Sequence, residues 1–248
     1  SSTSRGLGDV YKRQDMGCHL IDIPFKALGL KYPTDVECSI GTVYTKMWNA
    51  DYYPEGCPPS SSVSLHFDAT EKNNSPIQMT WSDGGIRPFH PDLLPADTTI
   101  EGNGVIMIGE KGIITCNAYG EDPRLYRNGE PVALGEKVKV LEPEFGHQRQ
   151  WVDACKAGFN SAEHNSLTSS FDYSGPLTET VLMGNIAIRS YMLKGADSSL
   201  KQKVAGGRRS NFIGRKKLLW DGEKMKIKNL ETANQFVRRT YRKGWELT

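Results

Sequence analysis

The sequence predicts an α+β protein in which helices pack on one face of an open, mostly antiparallel sheet. Three observations lead to this fold class. Short stretches of alternating apolar and polar residues follow one another with only turns between them, as in residues 62–68 and 77–81. Asn128-Gly129, a dipeptide typical of a two-residue hairpin turn, separates two more such stretches. From Glu144 onward the apolar residues recur with a helical period instead.

The clearest strand is predicted at residues 62–68. Val63 and Leu65 lie on its apolar face, and His66 lies on its polar face, where we interpret the imidazole as structural. Residues 77–81 show the same alternation and pair with this strand across a turn-like segment. Because strands that are neighbours in the chain pair directly, the sheet is expected to be antiparallel and not an alternating parallel one.

Further elements follow from the same two periodicities. Strands are predicted at residues 36–40, 42–47, 104–108 and 112–118. Helices are predicted at residues 178–192 and 231–241. The arrangement contains no internal repeat, and its length suits a single sizeable hydrophobic core.

Residues 1–14 show no regular apolar period and resemble translated adapter sequence. We therefore interpret them as a non-native leader and exclude them from the fold prediction. They contain three basic residues and one acidic residue, and residues 15–248 then carry equal numbers of positive and negative side chains. A neutral, mildly hydrophilic chain without a long apolar run is typical of a soluble protein that binds neither nucleic acid nor membrane. Cytoplasm and periplasm both remain open, because any targeting segment would precede residue 15.

Residues 15–22 carry the most distinctive set of polar side chains. Asp15, His19 and Asp22 are separated by four and three residues, a spacing that places them on one side of a helix. Imidazole exchanges protons readily near neutral pH, and a neighbouring carboxylate can orient it. The pattern indicates proton transfer, although the same spacing also occurs on ordinary polar surfaces. Pro24 predicts a bend or break of this helix between residues 21 and 24.

Five segments resemble the bacterial branch of the glucose-fructose oxidoreductase, inositol dehydrogenase and MocA family of NAD(P)-dependent enzymes. Each is modest alone, but all five occur in the expected order. They are residues 15–22 (DMGCHLID), 79–85 (MTWSDGG), 104–112 (GVIMIGEKG), 173–185 (YSGPLTETVLMGN) and 241–245 (YRKGW). The resemblance implies that residues 15–248 form the carboxyl-terminal, substrate-binding domain of such an enzyme.

In that family a dinucleotide-binding domain precedes these segments. Here Gly6-Leu-Gly8 lacks the third spaced glycine, and Gly102-Asn-Gly104 leads into a strand-like run. Neither has the strand, glycine-rich turn and helix that hold a dinucleotide pyrophosphate. The resemblance therefore implies that NAD or NADP binds mainly to a domain absent from this chain, together with the family's usual catalytic lysine.

The resemblance also implies roles for four residues. His19 is expected to act as the general base on a substrate hydroxyl, and Asp15 to bind the substrate or orient the imidazole. Asp22 and Tyr173 are expected to bind substrate, although Tyr173 could equally be a core tyrosine. The expected substrate is a sugar, a cyclitol or a derivative, no metal is implied, and the protein is expected to form homo-oligomers.

Three other functions stay open at this point. An NAD-dependent glycosidase of the same fold would use the same site. A non-catalytic carbohydrate-binding protein would be favoured if His19 were buried among apolar neighbours. A phosphate or nucleic-acid binder would depend on the basic residues 201–217, which we interpret as a solvated loop because no aromatic side chains alternate with the charges.

Overall fold

The computed structural model describes residues 13–48, 50–52, 54–135, 146–195, 202–203, 209–238 and 240–245, with the backbone alone for residues 13–15, 202–203 and 209–210. Of the predicted leader, residues 1–12 lie outside this range. Arg13 and Gln14 form the first turn of helix α1 (Arg13–Leu20), which is followed by α2 (Asp22–Leu28). The predicted interruption is confirmed at Ile21, since Pro24 lacks the N–H that would bond to the carbonyl of Leu20.

The main sheet contains five antiparallel strands. These are β1 (Asp35–Ile40), β2 (Ser61–Phe67), β3 (Ile77–Asp83), β10 (Leu218–Asp221) and β11 (Lys226–Ile227), in the spatial order β11-β10-β1-β2-β3. The predicted hairpin is confirmed, because Val63 lies opposite Trp81 and Leu65 opposite Met79. In β2, Val63 and Leu65 are fully buried, whereas the alternate side chains lie on the outer face.

A second sheet is formed by four antiparallel strands, β4 (Gly104–Gly109), β5 (Gly112–Asn117), β6 (Arg124–Arg127) and β7 (Glu130–Val132). Asn128 and Gly129 connect β6 to β7 with φ angles of 50° and 78°, so both residues of the predicted hairpin turn have positive φ. Leu94, Ile113 and Tyr126 form a small hydrophobic core on this sheet. A two-stranded ribbon, β8 (Gln202–Lys203) with β9 (Arg209–Ser210), lies elsewhere in the chain.

The helices are α3 (His147–Ala157), α4 (Ala162–Asn165) and α5 (Phe171–Tyr191), and a 3₁₀ helix spans Glu231–Phe236. Helix α5 packs across the inner face of the main sheet, where Val181, Met183 and Ala187 join the largest core cluster. Phe25 of α2 lies in the same cluster and is 2% exposed. The first helices and α5 therefore cover one face of the main sheet, and the predicted α+β class with mostly antiparallel sheets is confirmed.

Three elements differ from the prediction. The strands form separate sheets and not one. Residues 42–47 do not form a strand, and their apolar side chains Val43, Tyr44 and Met47 stay exposed instead of packing on a core. The closing helix is a short 3₁₀ helix, in which Ala233 is buried, whereas Tyr241 lies beyond its end and is 42% exposed.

The stability of this packing depends on pH through Glu179 on α5. Burial raises the pKa of the Glu179 carboxyl above its ordinary value of 4.5, and the hydrogen bond donated by Trp220 Nε1 partly offsets this shift. The Nε1 to Oε1 distance is 2.6 Å. Because the folded protein then binds this proton more tightly than the unfolded chain does, the associated stability is complete below pH 4.5 and is lost as the pH rises through the raised pKa.

The substitution Glu179→Gln is expected to remove this pH dependence, since the amide oxygen still accepts from Trp220 and cannot ionise. Urea unfolding of both proteins between about pH 4 and pH 8 provides the measurement. As the pH rises from 4.5, the free energy of unfolding of the variant should increase relative to that of the natural protein. A difference that stays constant over this range would contradict the assignment.

Candidate functional site

His19 and Asp22, two of the polar residues predicted to act together, lie three positions apart on one nearly continuous helical path. Hydrogen bonds of 2.9 Å from the Ile21 N–H to the Gly17 carbonyl and from the Phe25 N–H to the Ile21 carbonyl continue the helical path across the break. Leu20, Ile21 and Phe25 are buried, so this face of the segment joins the core. By the helical spacing, the opposite face carries a polar stripe formed by His19 and Asp22.

His19 lies at the end of α1 with its side chain exposed. Its ring makes an edge contact with Tyr119, with 5.7 Å between the ring centroids and 68° between the ring planes. Tyr119 follows β5, and its own side chain is 70% exposed. The imidazole is therefore positioned by an aromatic neighbour on one side and is accessible to a small molecule on the other.

Asp15 is the third residue of α1, in its first turn, where an acidic residue interacts favourably with the helix dipole. The position agrees with the spacing that places it one turn before His19. Its side chain lies outside the described part of the structure. The contact between Asp15 and the imidazole stays a prediction.

Asp22 and Tyr173 are brought together by the packing of α5 against α2. The Tyr173 hydroxyl donates a short hydrogen bond to Asp22 Oδ1 across 151 positions of sequence. The Tyr173 ring also packs edge-on against Phe25, with 5.7 Å between the centroids. The two predicted substrate-binding residues thus form one unit, in which the second carboxylate oxygen of Asp22 keeps its capacity to accept from a substrate hydroxyl.

The pKa of the Tyr173 hydroxyl is raised well above its ordinary range, chiefly by burial and then by the hydrogen bond to Asp22 and by the charge of that carboxylate. The hydroxyl therefore remains protonated at physiological pH and acts as a donor. A hydroxyl that stays protonated cannot serve as a general base under those conditions.

Tyr173 differs from the prediction in its local structure. The sequence places it ahead of a helix that begins near residue 178, whereas α5 already begins at Phe171 and includes Pro176. The Gly175-Pro176 pair is typical of a turn, but the packing of this helical turn on Phe25 overrides that preference. Tyr119 was missed by sequence reasoning, because no local pattern links it to a histidine 100 positions away.

The described contacts of the segment MTWSDGG (residues 79–85) stabilise the main sheet. Asp83, at the end of β3, is buried and accepts hydrogen bonds from the Ser61 backbone N–H at 2.9 Å and the Ser61 hydroxyl at 2.8 Å. Trp81 Nε1 donates to the same carboxylate at 3.0 Å. Asp83 therefore ties the start of β2 to the end of β3.

His66 is a structural histidine, as its place on the polar strand face predicts. It lies opposite Asp35 in the β1–β2 pairing, and its Nδ1 is 2.6 Å from Asp35 Oδ1. The ammonium group of Lys217 lies 3.6 Å from the same oxygen. The three side chains form a polar cluster on the outer face of the main sheet.

Aromatic side chains accompany part of the basic segment 201–217, one of them, Phe212, from within the segment and the others from elsewhere in the chain. The guanidinium of Arg215 stacks over Phe212 at 3.7 Å and over Tyr191 at 4.7 Å from the ring centroids. Lys194 lies 3.8 Å from the centroid of Tyr52. These cation–π contacts join the end of α5 to neighbouring loops. Residues 201 and 204–208 lie outside the described part of the chain.

A metal site and a membrane-spanning helix find no support among the described residues. Across those ranges, no cluster of three or more His, Cys, Asp or Glu side chains is arranged to hold a metal ion. No helix within them combines the length and the apolar character needed to cross a membrane. Comparison with known protein families and with curated proteins finds no match to this chain.

Proposed function

We propose that this chain is the substrate-binding and catalytic portion of an NAD(P)-dependent oxidoreductase that acts on the CH–OH group of a sugar, a cyclitol or a derivative. The observation that carries the proposal is the exposed His19 on the same helical face as Asp22, whose carboxylate is held in place by Tyr173. The resemblance of the five sequence segments to the glucose-fructose oxidoreductase family supports the same assignment.

His19 accepts the proton of the substrate hydroxyl in this scheme. Asp22, already bonded to Tyr173 through Oδ1, accepts a hydrogen bond from a second substrate hydroxyl through Oδ2. Asp15 would bind the substrate or orient the imidazole, as the resemblance implies. A nicotinamide would supply the hydride acceptor for the adjacent carbon.

The dinucleotide itself does not fit the described residues of this chain. Gly104, which ends the glycine-containing segment 102–104, begins strand β4 and not a helix. No strand, glycine-rich turn and helix are found in sequence within the described ranges, so their residues offer no ordinary cradle for a pyrophosphate. The proposal therefore assigns the cofactor to a separate domain and assigns proton transfer to this chain.

The exposure of His19 bears on the rival functions. A buried imidazole would favour a non-catalytic carbohydrate-binding role, whereas the His19 side chain is exposed. The glycosidase alternative uses the same residues, and no specific contact in the structure favours it over the dehydrogenase.

The proposal is tested with the natural gene product that contains this chain, assayed for NAD(P)H formation with a panel of hexoses, pentoses and inositols. The substitution His19→Ala is expected to lower kcat/KM by about a hundredfold or more, the ordinary contribution of a positioned general base. His90→Ala is the matched control, because His90 is also exposed and its ring nitrogen, 3.2 Å from the Thr98 carbonyl, belongs to a loop outside the stripe. A His19→Ala protein with normal turnover would refute the base assignment. Hydrolysis of aryl glycosides without accumulation of NAD(P)H would replace the dehydrogenase with the glycosidase.

A further inference from the structure

A concave pocket of about 370 Å³ lies between α2, the start of α5 and the link from β2 to β3. Its volume falls within the range of small-molecule binding sites. The lining combines cationic side chains with buried apolar ones. The residues that matter for ligand chemistry are Lys26, Lys31, Lys72, Ser170, Phe25 and Leu30.

Three lysines line the pocket: Lys26 and Lys31 lie five positions apart, and Lys72 comes from the β2–β3 link. Among the described residues, none of their ammonium groups forms a salt bridge. Asp172 is the acidic residue of the lining, and no ion pair joins it to them in those ranges. Converging like charges repel one another, so an anion in the pocket would be bound favourably.

Lys72 is held in place by contacts with uncharged groups. Its Nζ donates to the backbone carbonyl of Lys26 at 3.0 Å. Its aliphatic chain crosses Gly29 so closely that a Cβ there would lie 3.3 Å from Lys72 Cδ. The ammonium group therefore lies at the pocket wall already ordered, which lowers the entropic cost of binding a ligand.

A neutral donor and an apolar surface complete the pocket. Ser170 precedes α5 as its N-cap residue, but its side chain makes no capping hydrogen bond. Its hydroxyl is thus available to a ligand oxygen. Phe25 and Leu30 are both at least 95% buried and give the pocket an apolar floor.

We propose that this pocket binds a small organic anion through its phosphate or carboxylate group. Lys26, Lys31 and Lys72 bind the oxyanion, Ser170 donates a hydrogen bond to it, and the ring or chain of the ligand packs on Phe25 and Leu30. The inference goes beyond the proposed oxidoreductase activity. Tyr173 lines this pocket and also belongs to the proposed substrate site, but binding of the anion requires neither His19 nor a nicotinamide.

The experiment titrates the full chain with inorganic phosphate, glucose 6-phosphate, glucuronate and glucose, with binding followed by calorimetry and by amide chemical shifts in NMR. At least one of the anionic sugars is expected to bind saturably with a Kd below about 10 mM, more tightly than inorganic phosphate, because the floor adds apolar contact. Glucose, which has no anionic group, is expected not to bind. The tighter of the two anionic sugars identifies the phosphate or the carboxylate as the preferred group.

The double substitution Lys26→Gln with Lys31→Gln is expected to weaken that binding at least tenfold and to reduce its dependence on salt. Both lysines are exposed, so the variant should fold, and its thermal unfolding confirms this. Lys111→Gln is the matched control, since Lys111 is an exposed lysine in the β4–β5 turn. Equal affinities of the double variant and the control, equal binding of glucose, or the absence of saturable anion binding would overturn the proposal.

Discussion

Asp83→Ala is expected to lower the free energy of unfolding by about 3 to 4 kcal/mol, because three donors would lose their common acceptor inside the protein. The loss is most costly for the Ser61 backbone N–H, since this donor is buried and cannot turn toward water. Asp83→Asn is expected to be nearly as harmful, because an amide N–H₂ would face donors where the carboxylate has only acceptors. Urea denaturation at neutral pH measures both effects.

The matched control is Asp92→Ala. Asp92 is an exposed carboxylate in the loop between the two sheets, so its removal should change stability by no more than about 0.5 kcal/mol. An Asp83→Ala protein as stable as this control would show that the carboxylate does not hold the ends of β2 and β3 together.

Gly84→Ala is expected to be at least as destabilising, by about 4 kcal/mol or more, with a large loss of soluble protein. Gly84 has a φ of +66°, and an added Cβ would lie 2.1 Å from the Pro59 carbonyl oxygen and 2.5 Å from Ser60 Cα. Both atoms belong to the backbone that enters β2, so neither can move without disturbing the β2–β3 pairing.

Gly84→Ala combines backbone strain with crowding of the added Cβ, and Gly85→Ala separates these two causes. Gly85 also has a positive φ, of +90°, but nothing lies within 4 Å of its added Cβ. The substitution should therefore cost only the backbone strain, about 1 to 2 kcal/mol. Thermal or urea unfolding of the two variants measures the difference, and equal losses would show that crowding at Gly84 contributes nothing.

Two residues of the segment MTWSDGG have a structural role. Asp83 satisfies buried donors, and Gly84 permits a close approach of two chain segments.

Much of the local structure was predictable, because it depends on residues that are neighbours in the chain. The alternation of residues 62–68 predicted β2 to within one residue at each end. Asn128-Gly129 predicted the turn between β6 and β7, since these residue types tolerate positive φ at low cost. Pro24 predicted the interruption between α1 and α2 for the equally local reason that it lacks an N–H.

The start of α5 was not predictable in the same way. Local preference at Gly175-Pro176 opposes a helix, yet the helix extends back to Phe171. Burial of Pro176 and Leu177 against the core, together with the Tyr173 contact to Phe25, offsets that preference. Helix propensity is worth less per residue than the burial of a large apolar side chain.

The sequence by itself determined which residues form the polar face that carries His19 and Asp22, because the helical period alone sets that side of the segment. Only the tertiary structure decided that Asp22 pairs with Tyr173 and that His19 contacts Tyr119. It also decided that the lysines of α2 and of the β2–β3 link share one pocket. The physical reason is that these contacts join distant positions, and their geometry follows from how apolar faces pack in the core and not from the preferences of neighbouring residues.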